Sequence, residues 1–245
     1  MELLGIDIGG SGIKGATVDL DAGRLTRDRH KILTPQPATP KAVAKIVVEL
    51  VEHFAWEGPI GCTFPSVIRQ GIVHSAANVD KSWISIDGER LLGKATSQKV
   101  VLLNDADAAG IAEMKVGAGR DRRGVVFMLT FGTGIGSGVF VDGHLVPNTE
   151  LGHLEFKGMD AEHYAAARVR EAEKLTYKKW GTRVNEFLLH LEKVFSPELF
   201  IIGGGVSRKL ERFRDYLTVD TELVPAKLRN EAGIIGAAHV ARDRL

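Results

Sequence analysis

Two glycine-rich turns, each set between an apolar run and an alternating one, constrain this chain more than any other feature. Glu2–Ile8 (ELLGIDI) reads as a strand, Gly9–Gly12 as a turn, and Ile13–Leu20 as a second strand. The layout recurs at Val125–Phe131, the glycine-rich stretch Gly132–Gly138, and Val139–Val146, which alternates around an Asp142-Gly143 hairpin. Residues 10–15, GSGIKG, match G-x-G-x-x-G. In the dinucleotide fingerprint those glycines open a helix. Here Ile13-Lys14-Gly15-Ala16-Thr17-Val18 follows, which is poor helix and good strand. A strand–turn–strand unit therefore opens each half, an internal repeat of pattern.

Turns of this kind expose backbone N–H groups with no side chain in the way and form concave anion sites. The candidate phosphate ligands are Gly9, Gly10, Ser11, Gly12 and Lys14 in the first turn, and Thr130, Gly132, Thr133 and Gly134 in the second. Asp7 stands where a Mg2+-bridged phosphate would sit, contacting the metal indirectly. Two facing loops suit a phosphate donor lying between lobes; two ordinary hairpins using glycine for positive φ are the plainer alternative. A third cluster, Gly203-Gly204-Gly205, follows the apolar run Leu199–Ile202. It suits a nucleotide ring lying against backbone, or a generic strand-to-helix turn.

The remaining pattern is α/β. A strand is expected around Leu25–Leu33, then a helix with apolar residues at Val43, Ile46, Val47, Leu50, Val51 and Phe54, opened by Pro40. Strands are expected at Ile60–Phe64 and Ser66–Val73, a short helix near Leu91, a buried strand at 100–104 (VVLLN), and a helix from Asp105 to Val116. Helices follow over 161–179 and 182–194 with a break near Gly181, and the last spans roughly 231–243.

Composition narrows the class. Glycine numbers 28 of 245 residues, about 11% against the usual ~7%. Lys and Arg total 32 against 31 Asp and Glu, a net charge of +1 that argues against nucleic-acid or membrane-surface partners. The lone Cys62 cannot pair internally or build a thiolate-rich zinc site. Met1-Glu2 shows no basic leader, and no apolar run approaches the ~18 residues a membrane span needs. A cytoplasmic protein is expected.

Taken together, LGIDIGGSGIKG, LLNDADAAGIAE, LTFGTGIGSGVFVDG, ELGH, LFIIGGGVS and EAGIIGAA, in this order along nearly the whole chain, resemble the ROK (repressor, open reading frame, kinase) family of sugar kinases. The resemblance implies an actin/hexokinase-like (ribonuclease H-like), two-lobed α/β fold with a repeated mixed sheet flanked by helices. The lobes would be residues 1–104 and 105–230, with 231–245 a C-terminal helix packing back on the first. The short form, with ELGHLEFKG, looks most like the polyphosphate- or ATP-dependent glucokinases and glucomannokinases.

The resemblance also implies site roles. Asp105 falls on the family's general base, beside Asn104, at the end of a buried strand where α/β sheets place ligands. Either residue would serve equally as a helix cap. Glu150, His153 and Glu162 resemble the sugar-hydroxyl ligands, and Ser66 and Asn78 fall where further sugar contacts lie. Most of the family carries a cysteine-rich zinc motif after the residue matching His153. This chain has no cysteine there, so no zinc site is expected.

The expected activity is transfer of a phosphoryl group from polyphosphate, ATP or both to the 6-hydroxyl of glucose, and of mannose as a further substrate, with Mg2+. Family habit suggests a homodimer. A kinase for fructose or N-acetylmannosamine is one alternative. A sugar-sensing repressor is another, disfavoured because strand one begins at Glu2 and leaves no room for a helix-turn-helix. Arg120, Arg122 and Arg123 form a basic turn that either guides polyphosphate or is solvated surface.

Overall fold

The computed structural model describes residues 1–76 and 79–244. It comprises two compact units, residues 1–112 with 231–245, and residues 113–230.

In the first unit, β1 (Glu2–Ile8) and β2 (Ile13–Asp19) form an antiparallel hairpin around the first glycine turn. The single strand expected over 25–33 is instead two short ones on β2, β3 (Arg24–Leu25) and β4 (His30–Ile32). Between them Arg27, Asp28 and Arg29 are exposed, with no apolar face to hold a longer strand. Helix α1 (Pro40–His53) starts as its sequence indicates: Pro40 lies in the first turn, and Thr39 Oγ1 accepts from Ala42 N at 3.3 Å. It buries Val43, Val47, Leu50 and Val51, each contributing about 1.5–3 kcal/mol.

β5 (Ile60–Phe64) runs parallel to β1. The strand expected over Ser66–Val73 is a small hairpin, β6 (Ile68–Arg69) and β7 (Ile72–Val73). Gln70 and Gly71 turn it with φ of 51° and 77°, as a two-residue hairpin turn demands. Helix α2 (Gly88–Thr96) leads to β8 (Val100–Asn104), parallel to β5, and then to α3 (Asp105–Val116). The sheet order is β3-β2-β1-β5-β8. Every residue of β5 and β8 is buried, as expected for parallel central strands.

In the second unit, β9 (Val125–Phe131) pairs antiparallel with β10 (Ile135–Val141), which pairs with β11 (His144–Val146). The second turn is therefore only Gly132–Gly134, and Gly136 and Gly138 lie within β10. A short hairpin, β12 (Glu155–Phe156) and β13 (Met159–Asp160), precedes α4 (Ala161–Ala165), α5 (Ala167–Ala172) and α6 (Tyr177–Phe195). The helix break falls at 173–176 and not at Gly181, because Thr176 Oγ1 caps α6 by accepting from Lys179 N. Gly181 lies inside α6, where a Cβ would meet that of Phe213 at 3.1 Å. β14 (Leu199–Gly203) and the unanticipated β15 (Glu222–Pro225) complete a sheet of order β11-β10-β9-β14-β15. Each sheet is thus a hairpin continued by two parallel strands, the repeat expected from the two glycine turns.

The chain ends in α7 (Ala232–Arg244), which packs on β1 and β5 of the first unit. Gly5 and Gly61 are register neighbours on those strands, and a Cβ there would lie 2.1 Å from Ile234 O and 1.8 Å from Ala237 O. Only glycine admits a helix backbone this close. No helix among the described residues is long and apolar enough to cross a membrane.

Candidate functional site

The first turn is built around Asp7. Register places Lys14 opposite it on β2 and Thr63 beside it on β5. Lys14 Nζ donates to Asp7 Oδ2 and Thr63 Oγ1 to Oδ1, each at 2.8 Å. The carboxylate is thereby fixed, with lone pairs left on both oxygens. Lys14, expected on phosphate, is held by Asp7 in this structure. The turn closes through Gly9 N to Gly12 O at 3.1 Å. Thr34 Oγ1 and Gln36 Nε2 hold the carbonyls of Gly9 and Gly10 at 2.5 and 3.5 Å. Ser11 is exposed at the tip. A Cβ on Gly12 would meet the Lys31 side chain at 2.4 Å, so a second lysine lies over this turn.

The second turn repeats the device, with Gly132 N donating to Gly134 O at 2.9 Å. Its brace is Glu162, whose Oε2 accepts from Ile135 N at 3.3 Å and would lie 2.2 Å from a Cβ on Gly134. Arg168 N donates to Gly132 O at 3.0 Å. Thr130, next to last in β9, lies opposite Gly203 of β14, and Gly204 follows with φ of 77°. The ends of these neighbouring strands open onto a cavity of about 270 Å³ lined by Gly132, Thr133, Gly205 and Val206, with Arg168, Arg170 and Lys209 on its walls.

The β8–α3 junction separates capping from exposure. Asn104 is buried, and its Oδ1 accepts from Ala106 N at 2.8 Å and Asp107 N at 3.1 Å, so it caps α3. Its Nδ2 donates to Ser66 O at 3.2 Å. Asp105, the next residue, is exposed, its Oδ1 accepting from Ala106 N at 2.8 Å. Ser66 is buried with its hydroxyl donating to Ser75 O at 2.6 Å, a brace of this junction. Asn78 lies outside the described residues.

Glu150, His153 and Glu162 share one neighbourhood, where Glu162 acts on both Glu150 and His153 and those two act on each other. Burial raises the pKa of Glu150 although one face stays open to solvent; His153 opposes the shift and Glu162 adds to it. His153 Nδ1 lies 2.9 Å from Asp160 Oδ2, and that hydrogen bond raises the imidazole pKa. Asp160 escapes a sequence reading because the β12–β13 hairpin brings it back. Among the described residues no group of three or more His, Cys, Asp or Glu side chains is arranged to hold a metal. The donor set at Asp7, a single carboxylate, fits a Mg2+ carried by donor phosphates and reached through water.

The basic turn lies elsewhere. Arg120, Arg122 and Arg123 precede β9, whereas Gly132 follows it. Seven strand residues at ~3.3 Å each put roughly 20 Å between them. Arg122 Nη2 pairs with Glu222 Oε1 at 2.6 Å, and Arg120 lies 3.6 Å from Asp121.

The sequence pattern of the ROK family matches residues 3–167. The chain belongs to the ROK family. It is 54% identical over 235 residues to a polyphosphate glucokinase of Mycobacterium tuberculosis (strain CDC 1551 / Oshkosh), covering 96% of this chain and 89% of that one. Among solved structures, the inorganic polyphosphate/ATP-glucomannokinase of Arthrobacter sp. strain KM superposes with a TM-score of 0.94 at 48% identity, covering 100% and 99% of the two chains. A ROK glucokinase from Streptomyces griseus shares the fold, with a TM-score of 0.83 at 23% identity over 99% of this chain and 100% of that one. The repeated mixed sheets are those of the actin/hexokinase-like fold of ROK sugar kinases.

Proposed function

We propose that this ROK protein is a glucokinase that phosphorylates the 6-hydroxyl of glucose, and of mannose, from polyphosphate or ATP. The observation that carries this reading is whole-chain likeness to enzymes named for that donor and sugar, on a chain that has both glycine turns. Asp105 is the general base. Asn104 caps α3, so the exposed carboxylate beside it can take the proton of the sugar hydroxyl. A base so placed contributes roughly 10²–10⁴-fold. The sugar oxygen then bonds to the terminal phosphorus, the bridging P–O bond breaks, and ADP or a shortened polyphosphate leaves. The turn N–H groups hold the phosphate oxygens, and Glu150, His153 and Glu162 orient the sugar. Mg2+, when bound with the donor near Asp7, neutralises charge on the phosphate oxygens. A homodimer, carried over from family habit, and a cytoplasmic protein without nucleic-acid partners, expected from the near-neutral charge, belong to the same reading.

The test is turnover with Mg2+ on glucose, mannose, fructose and N-acetylmannosamine, each with ATP and with polyphosphate. Glucose 6-phosphate formed from polyphosphate is the expected product. No turnover of glucose with either donor, or turnover of fructose or N-acetylmannosamine alone, overturns the reading.

A further inference from the structure

The cavity beside the second glycine turn carries more positive charge than a nucleotide base needs. Arg168, Arg170 and Lys209 line it against one carboxylate, Glu171. No carboxylate among the described residues pairs with Arg170 or Lys209. Arg168 makes only a loose approach to Glu162 at 3.9 Å. All three cations lie beyond residue 167, where the match to the family pattern ends.

The aromatic wall points the same way. Tyr177 is the ring that lines the cavity beside Phe131. The Arg170 guanidinium sits 4.4 Å from the Tyr177 centroid and that of Arg212 at 5.5 Å, while Phe213 lies parallel within 9° at 6.4 Å. A ring already dressed by two guanidinium groups and a phenyl is a poor platform for stacking a base. It does hold Arg170 over its face, with Nη1 also donating to Leu175 O at 3.4 Å. A guanidinium held over a ring keeps its remaining N–H groups available for phosphate oxygens, and its planar fork loses little entropy on binding them.

We infer that Arg168, Arg170 and Lys209 form the entry track for a linear chain of phosphates, leading inorganic polyphosphate to the Gly132–Gly134 turn. This rests on the donor assignment above and adds the residues that select for it. The basic turn at Arg120–Arg123, at the far end of β9, is not part of the track.

The test is equilibrium binding of fluorescently labelled long-chain polyphosphate, which needs no turnover. The full-length protein should bind it. Arg170→Gln/Lys209→Gln should weaken binding at least tenfold, whereas Lys209→Arg, which keeps the charge and leaves Arg170 in place, should leave binding nearly intact. The slope of log Kd against log salt should fall by roughly 1–2 in the Gln pair, one lost counterion release per contact. Kinetically, the Gln pair should raise the KM for long polyphosphate more than that for tripolyphosphate or ATP. Arg120→Gln/Arg123→Gln should leave polyphosphate binding unchanged. No binding by the native protein, an unaffected Gln pair, equal losses for all donors, or a loss confined to the Arg120/Arg123 pair would each overturn the track. Intact polyphosphate binding without glucose phosphorylation would instead sink the proposed activity and leave the track standing.

Discussion

The side-chain amide of Asn104 donates to the carbonyl oxygen of Ser66 at 3.2 Å, while its own oxygen receives the first free N–H groups of α3. One buried residue thus ties the end of β8 to the segment after β5 and caps the helix. Asp105, at the next position, is exposed.

Asp105→Asn separates the base from a structural role. The replacement keeps the shape and the oxygen that accepts from Ala106 N, but cannot take a proton. We expect kcat to fall at least ~10²-fold, glucose Kd to change by less than roughly tenfold, or ~1.4 kcal/mol, and the thermal midpoint to hold. Glucose titration and turnover at saturating donor read the difference. A kcat within a few-fold of wild type would return Asp105 to the helix start alone.

Asn104→Ala should behave in the opposite way. It removes a cap worth about 1 kcal/mol and leaves the buried Ser66 carbonyl without its donor, at about 1–3 kcal/mol. Urea denaturation should show a loss of roughly 2–4 kcal/mol, the sum of those costs. A loss below ~0.5 kcal/mol would show that water replaces both bonds.

Glu150→Gln should weaken sugar binding more than donor binding. A charged acceptor contributes about 1.5–3 kcal/mol per hydrogen bond, so glucose Kd should rise roughly ten- to a hundredfold. Calorimetric titration showing an unchanged Kd would place Glu150 outside the sugar site.

The His153–Asp160 pair sets a pH dependence. Because the folded imidazole pKa is raised, the pair's contribution is fully present below the ordinary histidine value of ~6.5 and fades as pH rises through the folded pKa. If His153 holds the sugar loop, glucose KM should climb over that window. Asp160→Asn should bring the His153 pKa back toward ~6.5, as read by NMR titration. A His153 pKa that ignores the substitution would mean the 2.9 Å contact is not formed in solution.

Gly61→Ala tests the seating of α7. The added methyl would lie 1.8 Å from Ala237 O, a backbone atom that only a shift of the helix can move. Overpacking of this kind costs about 1–3 kcal/mol or more, and Gly61 lies too deep for activity to be its main readout. A thermal midpoint unchanged by the substitution would show that α7 seats less closely.

Much of the fold was legible locally. Period-two alternation, buried apolar runs and glycine between them mark β1, β2, β9 and β10, because strand faces and positive-φ turns leave their signature in consecutive residues. Pro40 after Thr39 marks the start of α1 for the same reason. Short-range reading failed where a partner decided the outcome. Gly181 looks like a helix break, yet it is the close approach that lets α6 pack on Phe213. Gly136 and Gly138 look like turn, yet pairing with β9 makes them strand.

The order of glycine turns, strands and acidic motifs is therefore a property of the sequence alone, and it carried the family resemblance. Only the tertiary structure decided what each motif touches. Thr63 reaches Asp7 across 56 residues because β5 runs parallel to β1 in one register. Lys31 lies over Gly12 because β4 pairs with β2. Arg168 and Lys209 meet at one cavity because the ends of β9 and β14 are neighbours. Such contacts depend on register and packing between distant segments, and spacing along one chain does not encode them in any local pattern.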